Sequence, residues 1–356
     1  MRNEKKPTEY DVTIIGAGPA GTTLARLLDG KYRILLVDSD KPKCCGGLLA
    51  PNAQKMIAKL GLVLPDSVLQ GPQLFSVRVD DFDNRLCRYY QRHYINIDRE
   101  KFDAWLLSLV PESVERRIPA RYENCLPESS PDGLLLRLKE NGHDSTIKTK
   151  ILVGADGAFS QVRRQFALPH PKRKMYTAVQ YRFEPAQKLP SYGAIFDREI
   201  TDYYSWTIPK GDGVLVGTAI PAGINPLERF ALLLNKLDRT LTPGQAVCRQ
   251  AAQIVRPLSN GAVCPIGNNP SVVLLGEAAG FISPSSAEGI SYAMQSAVML
   301  ADALLPGIDG FQNRYRKNLH GLFMNLRLKN LKIPAMFSPL LRKVILRSGI
   351  FSLEVR

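Results

Sequence analysis

No stretch of this chain reaches the roughly 18 uncharged apolar residues that a membrane-spanning helix needs; the longest candidate, Gly289 to Ala301, is closed by Asp302. A secretory leader is not expected either. Met1 to Tyr10 are polar and charged, and the apolar run behind them, Val12 to Ile15, stops at Gly16, too short for a signal-peptide core. Export is not expected, and a cytoplasmic chain is. The six cysteines (Cys44, Cys45, Cys87, Cys125, Cys248, Cys264) show no Cys-x-x-Cys or Cys/His spacing, and a bridge between adjacent Cys44 and Cys45 would be strained. Neither a metal site nor a disulfide framework is expected. Internal repeats, low-complexity tracts and long Pro/Gly linkers are absent too, which argues for interwoven domains instead of domains in series. Acidic residues are nearly missing from one region: Phe311 to Arg356 carry ten Lys or Arg against Glu354 alone, which is +9 of the chain's +14.

What remains is an ordinary globular composition. A chain of 356 residues, 45% hydrophobic and 22% charged, exceeds the usual limit of one hydrophobic core, so two cores are expected and disorder is excluded.

The run Tyr10 to Ile15 reads as a buried strand, followed by Gly16-Ala-Gly18-Pro-Ala20-Gly21 and a helical pattern with Leu24, Leu27 and Leu28 on one face. This is Gly-x-Gly-x-x-Gly between a strand and a helix. Gly16 permits the tight turn, Gly18 lets backbone approach a pyrophosphate, Gly21 lets helix and strand pack closely, and the helix N-terminus faces the phosphates. A second strand, Arg33 to Val37, ends in Asp38, 22 residues after Gly16, where an acid accepts hydrogen bonds from a ribose. The motif alone does not separate FAD from NAD.

Two later segments repeat the strand-to-glycine-turn pattern: Ile151 to Arg163, containing Gly154-Ala-Asp156-Gly157, and Val272 to Phe281, containing Gly276-Glu277-Ala-Ala-Gly280. Glu288-Gly289-Ile290 then opens a long helix. With all three in this order, the sequence resembles the FAD-dependent group of para-hydroxybenzoate hydroxylases, flavin halogenases and geranylgeranyl reductases. The resemblance implies non-covalent FAD, with Asp156 and Gly157 beside the pyrophosphate and the late acid, Glu277 in place of Asp, near the ribityl chain. It also implies that Arg99, at the start of the helical run Asp98 to Leu107, reaches the FAD.

The run Pro42-Lys-Cys44-Cys45-Gly46-Gly47-Leu-Leu-Ala-Pro51 resembles the Cys-Gly-Gly signature of the geranylgeranyl reductases, where a cysteine on a glycine turn lies close to the flavin. Gly46 and Gly47 would let backbone approach the ring, and a thiol, Cys45 or Cys44, could supply a proton. The run Thr201 to Pro209 alternates so that Tyr204, Trp206 and Ile208 share one strand face. It is similar to the Tyr-x-Trp-x-Phe-Pro of the reductases, whose aromatics line an isoprenoid cavity, and to the Trp-x-Trp-x-Ile-Pro of the halogenases. Within the reductases, the turn at Cys45 and the run Gly276 to Tyr292 resemble bacterial oxidoreductases associated with colicin M resistance, an agent that attacks a polyprenyl-linked precursor.

The fold class these readings imply is α/β: a Rossmann-like FAD-binding domain (8–72, 95–170 and 262–310) interleaved with an antiparallel-sheet substrate domain (73–94 and 171–261), plus basic amphipathic C-terminal helices (311–356). The implied activity is an FAD-dependent oxidoreductase that reduces isolated C=C bonds of a polyprenyl or other isoprenoid lipid by hydride transfer from reduced flavin. An O₂-using monooxygenase or halogenase and a nonenzymatic lipid-binding flavoprotein are the alternatives. No second dinucleotide fingerprint is visible, so NAD(P)H, a ferredoxin and a quinol all stay open as electron donor. In the C-terminal region, Leu319, Leu322, Phe323 and Leu326 form one apolar stripe, and Phe337, Leu340, Leu341, Val344 and Ile345 a second beyond Pro334, with cations between. Such a basic amphipathic pair suits an anionic membrane surface. No nucleic-acid recognition motif accompanies the charge.

Overall fold

The computed structural model describes residues 7–41, 43–126, 133–166, 173–186, 188–238, 241, 244–258 and 262–354; Pro42 of the cysteine turn and the terminal cation Arg356 lie outside them. Two sheets share the chain. The first is parallel at its centre, with strands Glu115–Arg117, Ile34–Val37, Thr8–Ile15, His143–Gly154 and Val272–Leu274 side by side. The long strand His143–Gly154 uses its first half to pair antiparallel with Leu134–Glu140, which pairs in turn with Arg121–Cys125. Burial on both faces explains why Ile34–Val37 and Val272–Leu274 read as continuous apolar runs instead of alternating ones.

The second sheet runs in the order Gln245–Pro257, Arg173–Glu184, Gly213–Pro221, Ser205–Lys210, Tyr192–Phe196, Leu74–Asp81, Leu86–Asn96, Ser352–Leu353. It departs from the all-antiparallel expectation at one junction, where Tyr192–Phe196 and Leu74–Asp81 pair in parallel. These strands come from the two separate segments of the substrate region, so no hairpin fixes their relative direction. One face carries the aromatic cluster of Tyr176, Tyr203, Tyr204 and Trp206. Helix Pro226–Leu237 covers the other through Phe230, Leu233 and Leu237.

The two apolar stripes of the C-terminal region are used differently. Residues 311–326 are not a separate unit: Phe311, Tyr315, Leu319, Leu322 and Leu326 are buried in the core of the parallel sheet, with Phe323 packed at its edge. The second apolar stripe faces outward. On helix Pro339–Ser348 the buried residues are Arg342 and Leu346, whereas Leu340, Leu341, Val344 and Ile345 are exposed. The cause is a buried ion pair. Arg342 Nε lies 2.8 Å from Asp81 Oδ2, Arg342 Nη2 lies 2.6 Å from Asp83 Oδ2, and Asp81 is fully buried. A carboxylate in that position must be neutralised, and the arginine that does so turns the helix's apolar face outward.

Candidate active site

A continuous cavity of about 1140 Å³ runs between the two sheets. At one end the turn after Thr8–Ile15 supplies Gly16, Gly18 and Ala20, and Asp38 closes the next strand. Helix Pro19–Leu27 begins here with proline in its first turn and no side-chain cap on its N–H groups. Asp38 Oδ2 accepts from the amide of Ala17 at 2.6 Å and Oδ1 from Asp40 at 2.8 Å, which fixes the carboxylate against the turn. Gly21 lies off the cavity wall: a Cβ there would come within 1.8 Å of the Gly16 carbonyl, so this glycine serves helix–strand contact and not the ligand. Gly280 is off the wall too, as the left-handed C-cap of the short helix Gly276–Ala279.

Asp156, Gly157, Gly276, Glu277, Gly289 and Ile290 line the middle. Asp156 Oδ2 accepts from the amide of Gln161 at 2.7 Å, while its Oδ1 is buried without a hydrogen-bond partner, and burial raises its pKa. Glu277 Oε1 accepts from the amide of Val255 at 3.3 Å, so the longer acidic arm reaches across to the second sheet. Helix Ile290–Leu304 starts at Gly289, again without a side-chain cap. Two uncapped helix N-termini and an orphaned carboxylate oxygen on one wall suit a ligand that combines anionic phosphates with hydroxyl donors. A dinucleotide such as FAD fits that set.

Next comes the cysteine turn, with Cys44, Cys45, Gly46 and Gly47 all on the wall. Gly47 adopts φ +62°, and a Cβ there would meet the Ile97 carbonyl at 2.4 Å and Lys210 Nζ at 2.6 Å, so no other residue fits. The amide of Gly47 donates to Cys45 Sγ at 3.4 Å, and Gln180 Nε2 donates to the Cys45 carbonyl at 3.2 Å. The two thiols differ in surroundings. Desolvation, with Cys45 and Cys248 alongside, pushes Cys44 up to about 12. Cys45 has cations beside it instead: Arg99 and Lys210 both interact with its thiol.

Arg99 opens helix Arg99–Ser108, whose N-cap Asp98 accepts from the amides of Glu100 and Lys101. Its Nε is 3.0 Å from Asp103 Oδ1, and that carboxylate raises its pKa against the opposing effect of burial. Lys210 was not singled out by the sequence reading. It follows directly on the Tyr204-Ser-Trp206-Thr-Ile208-Pro run, buried at 6% exposure, and donates to Asn96 Oδ1 (2.6 Å), the Ile97 carbonyl (2.9 Å) and the Gly47 carbonyl (3.1 Å). Burial lowers its pKa to about 8. Three acceptors require three donors, so the ammonium form holds the turn at neutral pH. Its position directly after an aromatic strand run was the available signal.

The far end is largely apolar. Tyr204, Trp206 and Ile208 line it as the alternation implied, with Tyr204 one residue ahead of strand Ser205–Lys210. Tyr204 OH donates to the Ser286 carbonyl at 2.8 Å, and burial raises the pKa of Tyr204 and of its neighbour Tyr192, so both phenols are neutral. A polar cluster interrupts the wall: Arg92 Nη2 is 2.7 Å and Lys329 Nζ 3.8 Å from the Glu288 carboxylate, with Tyr94 OH donating to it at 3.4 Å. The wall finishes at Met336, Arg342, Ile345 and Leu346 of the C-terminal helices.

No protein-family model matches the chain. Among curated proteins, Protein CbrA of Escherichia coli O6:H1 is 40% identical over 350 residues, covering 96% of this chain and 94% of that protein. Protein CbrA of Shigella sonnei is 40% identical over 350 residues, covering 96% and 97%. Among solved structures, a geranylgeranyl bacteriochlorophyll reductase-like protein from Thermoplasma acidophilum superposes with a TM-score of 0.77 at 18% identity, over 95% of this chain and 98% of that one. A probable FAD-dependent monooxygenase from Pseudomonas aeruginosa gives 0.69 at 19% identity, covering 95% and 100%. The flavin-dependent brominase Bmp2 gives 0.69 at 19%, covering 96% and 93%.

Proposed function

Because this chain belongs to the family of the CbrA proteins, and has the fold shared by FAD-dependent reductases, monooxygenases and halogenases, we propose that it binds FAD and reduces isolated C=C bonds of a polyprenyl or other isoprenoid lipid. The observation that carries this reading is the cysteine turn: Cys45, flanked by Arg99 and Lys210, sits where the dinucleotide half of the cavity meets the apolar half.

Gly16, Gly18 and the two uncapped helix N-termini would hold the pyrophosphate, Asp38 a ribose, and Asp156 Oδ1 a hydroxyl. The chemistry that bound FAD would supply there, once reduced by NAD(P)H, a ferredoxin or a quinol, is hydride donation to one alkene carbon. The chain supplies everything else. Cys45 holds a proton at Sγ for the second alkene carbon, so one C=C bond is exchanged for two C–H bonds and the thiolate recovers its proton from water. Arg99 and Lys210 stand beside the sulfur that carries the negative charge in between. Tyr204, Trp206 and Ile208 lay an isoprene unit against the turn, and the phenols of Tyr204 and Tyr192 add no charge beside it. An unactivated alkene offers no oxyanion to stabilise, so proximity and exclusion of water must carry the rate.

The test is anaerobic incubation of the FAD-loaded, chemically reduced protein with a polyprenyl lipid, followed by mass spectrometry. The expected product gains one hydrogen pair per reduced bond, and Cys45→Ala, retaining FAD, yields it at least tenfold more slowly. An unchanged lipid without air and an oxygenated or halogenated product in air would move the protein to the monooxygenase or halogenase reading.

A further inference from the structure

The outward-facing stripe of helix Pro339–Ser348 leaves an unusual surface. Leu340 and Val344, one turn apart on Pro339–Ser348, are 75% and 67% exposed, and Leu341 and Ile345 widen the strip. The helix ends at Gly349 in the left-handed conformation, and the next turn projects Ile350 and Phe351. Phe351 is 89% exposed and itself held at φ +62°, a costly conformation for an aromatic residue. It is kept there by Ser352, which bonds back to the Gly349 carbonyl at 2.9 Å through its amide and 2.7 Å through Oγ, and by the pairing of Ser352 and Leu353 with Tyr90 and Tyr89. A rigid apolar prong beside an apolar strip is not what a water-facing surface selects.

Cations surround it. Lys343 and Arg347 on the same helix, and exposed Lys332 just before it, have no acidic partner among the described residues. The other surface of this helix is cavity wall, through Arg342 and Leu346, with Ile345 at the edge between the two.

We propose that this face docks on an anionic lipid bilayer, with Leu340, Val344 and Phe351 in the acyl boundary and Lys332, Lys343 and Arg347 among the headgroups, and that the cavity opens there to take a lipid chain directly from the bilayer. Aliphatic and aromatic residues rimmed by unpaired cations match the two layers of such an interface. A second copy of this chain is the poorer occupant, because a twofold contact would set these cations against themselves. The docking surface stands on its own geometry; only the delivery step rests on the proposed lipid substrate.

The experiment is vesicle flotation of the full-length, FAD-loaded protein, with vesicles of phosphatidylcholine alone or mixed with phosphatidylglycerol. The wild type is expected to float with the anionic vesicles, at least tenfold less with neutral ones, and less at high salt. Lys343→Gln with Arg347→Gln should weaken partitioning by about thirtyfold, from the loss of two headgroup cations. Leu340→Gln with Val344→Gln should abolish flotation while leaving FAD content and turnover of a micelle-dispersed short isoprenoid unchanged. Absence of flotation, equal recovery on both vesicles, or a dimer that the Gln variants dissociate without affecting flotation would overturn the proposal. If a variant fails to fold, the lipid and salt dependence of the wild type decides. Flotation needs no turnover, so its failure is distinct from failure of the reductase reading.

Discussion

Helices His320–Leu331 and Pro339–Ser348 carry the same sequence signature, leucines at helical spacing among lysines and arginines, and the fold uses them in opposite ways. The first buries Leu322 and Leu326 in the parallel-sheet core, leaves Arg327 in water and turns Lys329 toward Glu288. The second buries Arg342 and leaves its leucines outside. The difference lies in the partner surface. The first helix meets apolar core around Phe281 and Tyr292, whereas the second meets Asp81, a fully buried carboxylate at the end of a strand. An amphipathic pattern states that two faces differ, and the surface it meets decides which one turns inward.

The largest expected effect falls on the ion pair. Arg342→Ala should destabilise the protein by about 3–5 kcal/mol, because Asp81 is left buried and unpaired; Asp81→Asn combined with Arg342→Met should recover much of that in chemical denaturation. A loss under 1 kcal/mol for Arg342→Ala would mean the helix is not anchored by this pair. Next, Leu326→Ala should cost about 2–5 kcal/mol as a core truncation, against no more than about 0.5 kcal/mol for Leu340→Ala on the exposed strip. Equal costs at the two leucines would erase the contrast between the helices.

A second buried cation sharpens the comparison further. Arg342 is held by carboxylates and Lys210 by amide and backbone carbonyls, with burial lowering Lys210 to about 8 from 10.5. Between those values the unfolded chain binds a proton that the folded chain has released, so stability should rise with pH from about 8 toward 10 and be insensitive to this group below 8. Lys210→Met should flatten that rise in denaturation midpoints measured across the window, whereas an identical pH profile in the variant would assign the titration elsewhere. Because the ammonium holds the Gly47 carbonyl, the same substitution should shift the absorbance of bound flavin, a readout that a purely structural lysine would not move.

Local geometry was legible in the residues themselves. Where backbone must approach backbone or a ligand, only glycine fits, so the turns at Gly16, at Gly46 and Gly47, and at Gly276 were visible without any knowledge of what lies opposite. The alternation of Tyr204, Trp206 and Ile208 carried their shared face for the same reason: it depends on strand geometry alone. What stayed hidden depends on partners distant in the chain. Lys210 meets Gly47 across 163 positions, and Arg342 meets Asp81 across 261. The parallel pairing of Tyr192–Phe196 with Leu74–Asp81 joins segments separated by most of the first sheet. No spacing rule reports such encounters, which is why the inward turn of Arg342 could not be read from the pattern of its helix.

The central claim is that the cysteine turn and the apolar half of the cavity act together on an alkene. The most direct measurement is stopped-flow absorbance of the anaerobically reduced, FAD-loaded protein, comparing reoxidation by a geranylgeranyl lipid with reoxidation by dissolved O₂. The account predicts faster oxidation by the lipid, with a saturated product and a marked slowing in Cys45→Ala. A cofactor that stays reduced in the presence of lipid, and is oxidised only by O₂ with an oxygenated or halogenated product, would contradict it.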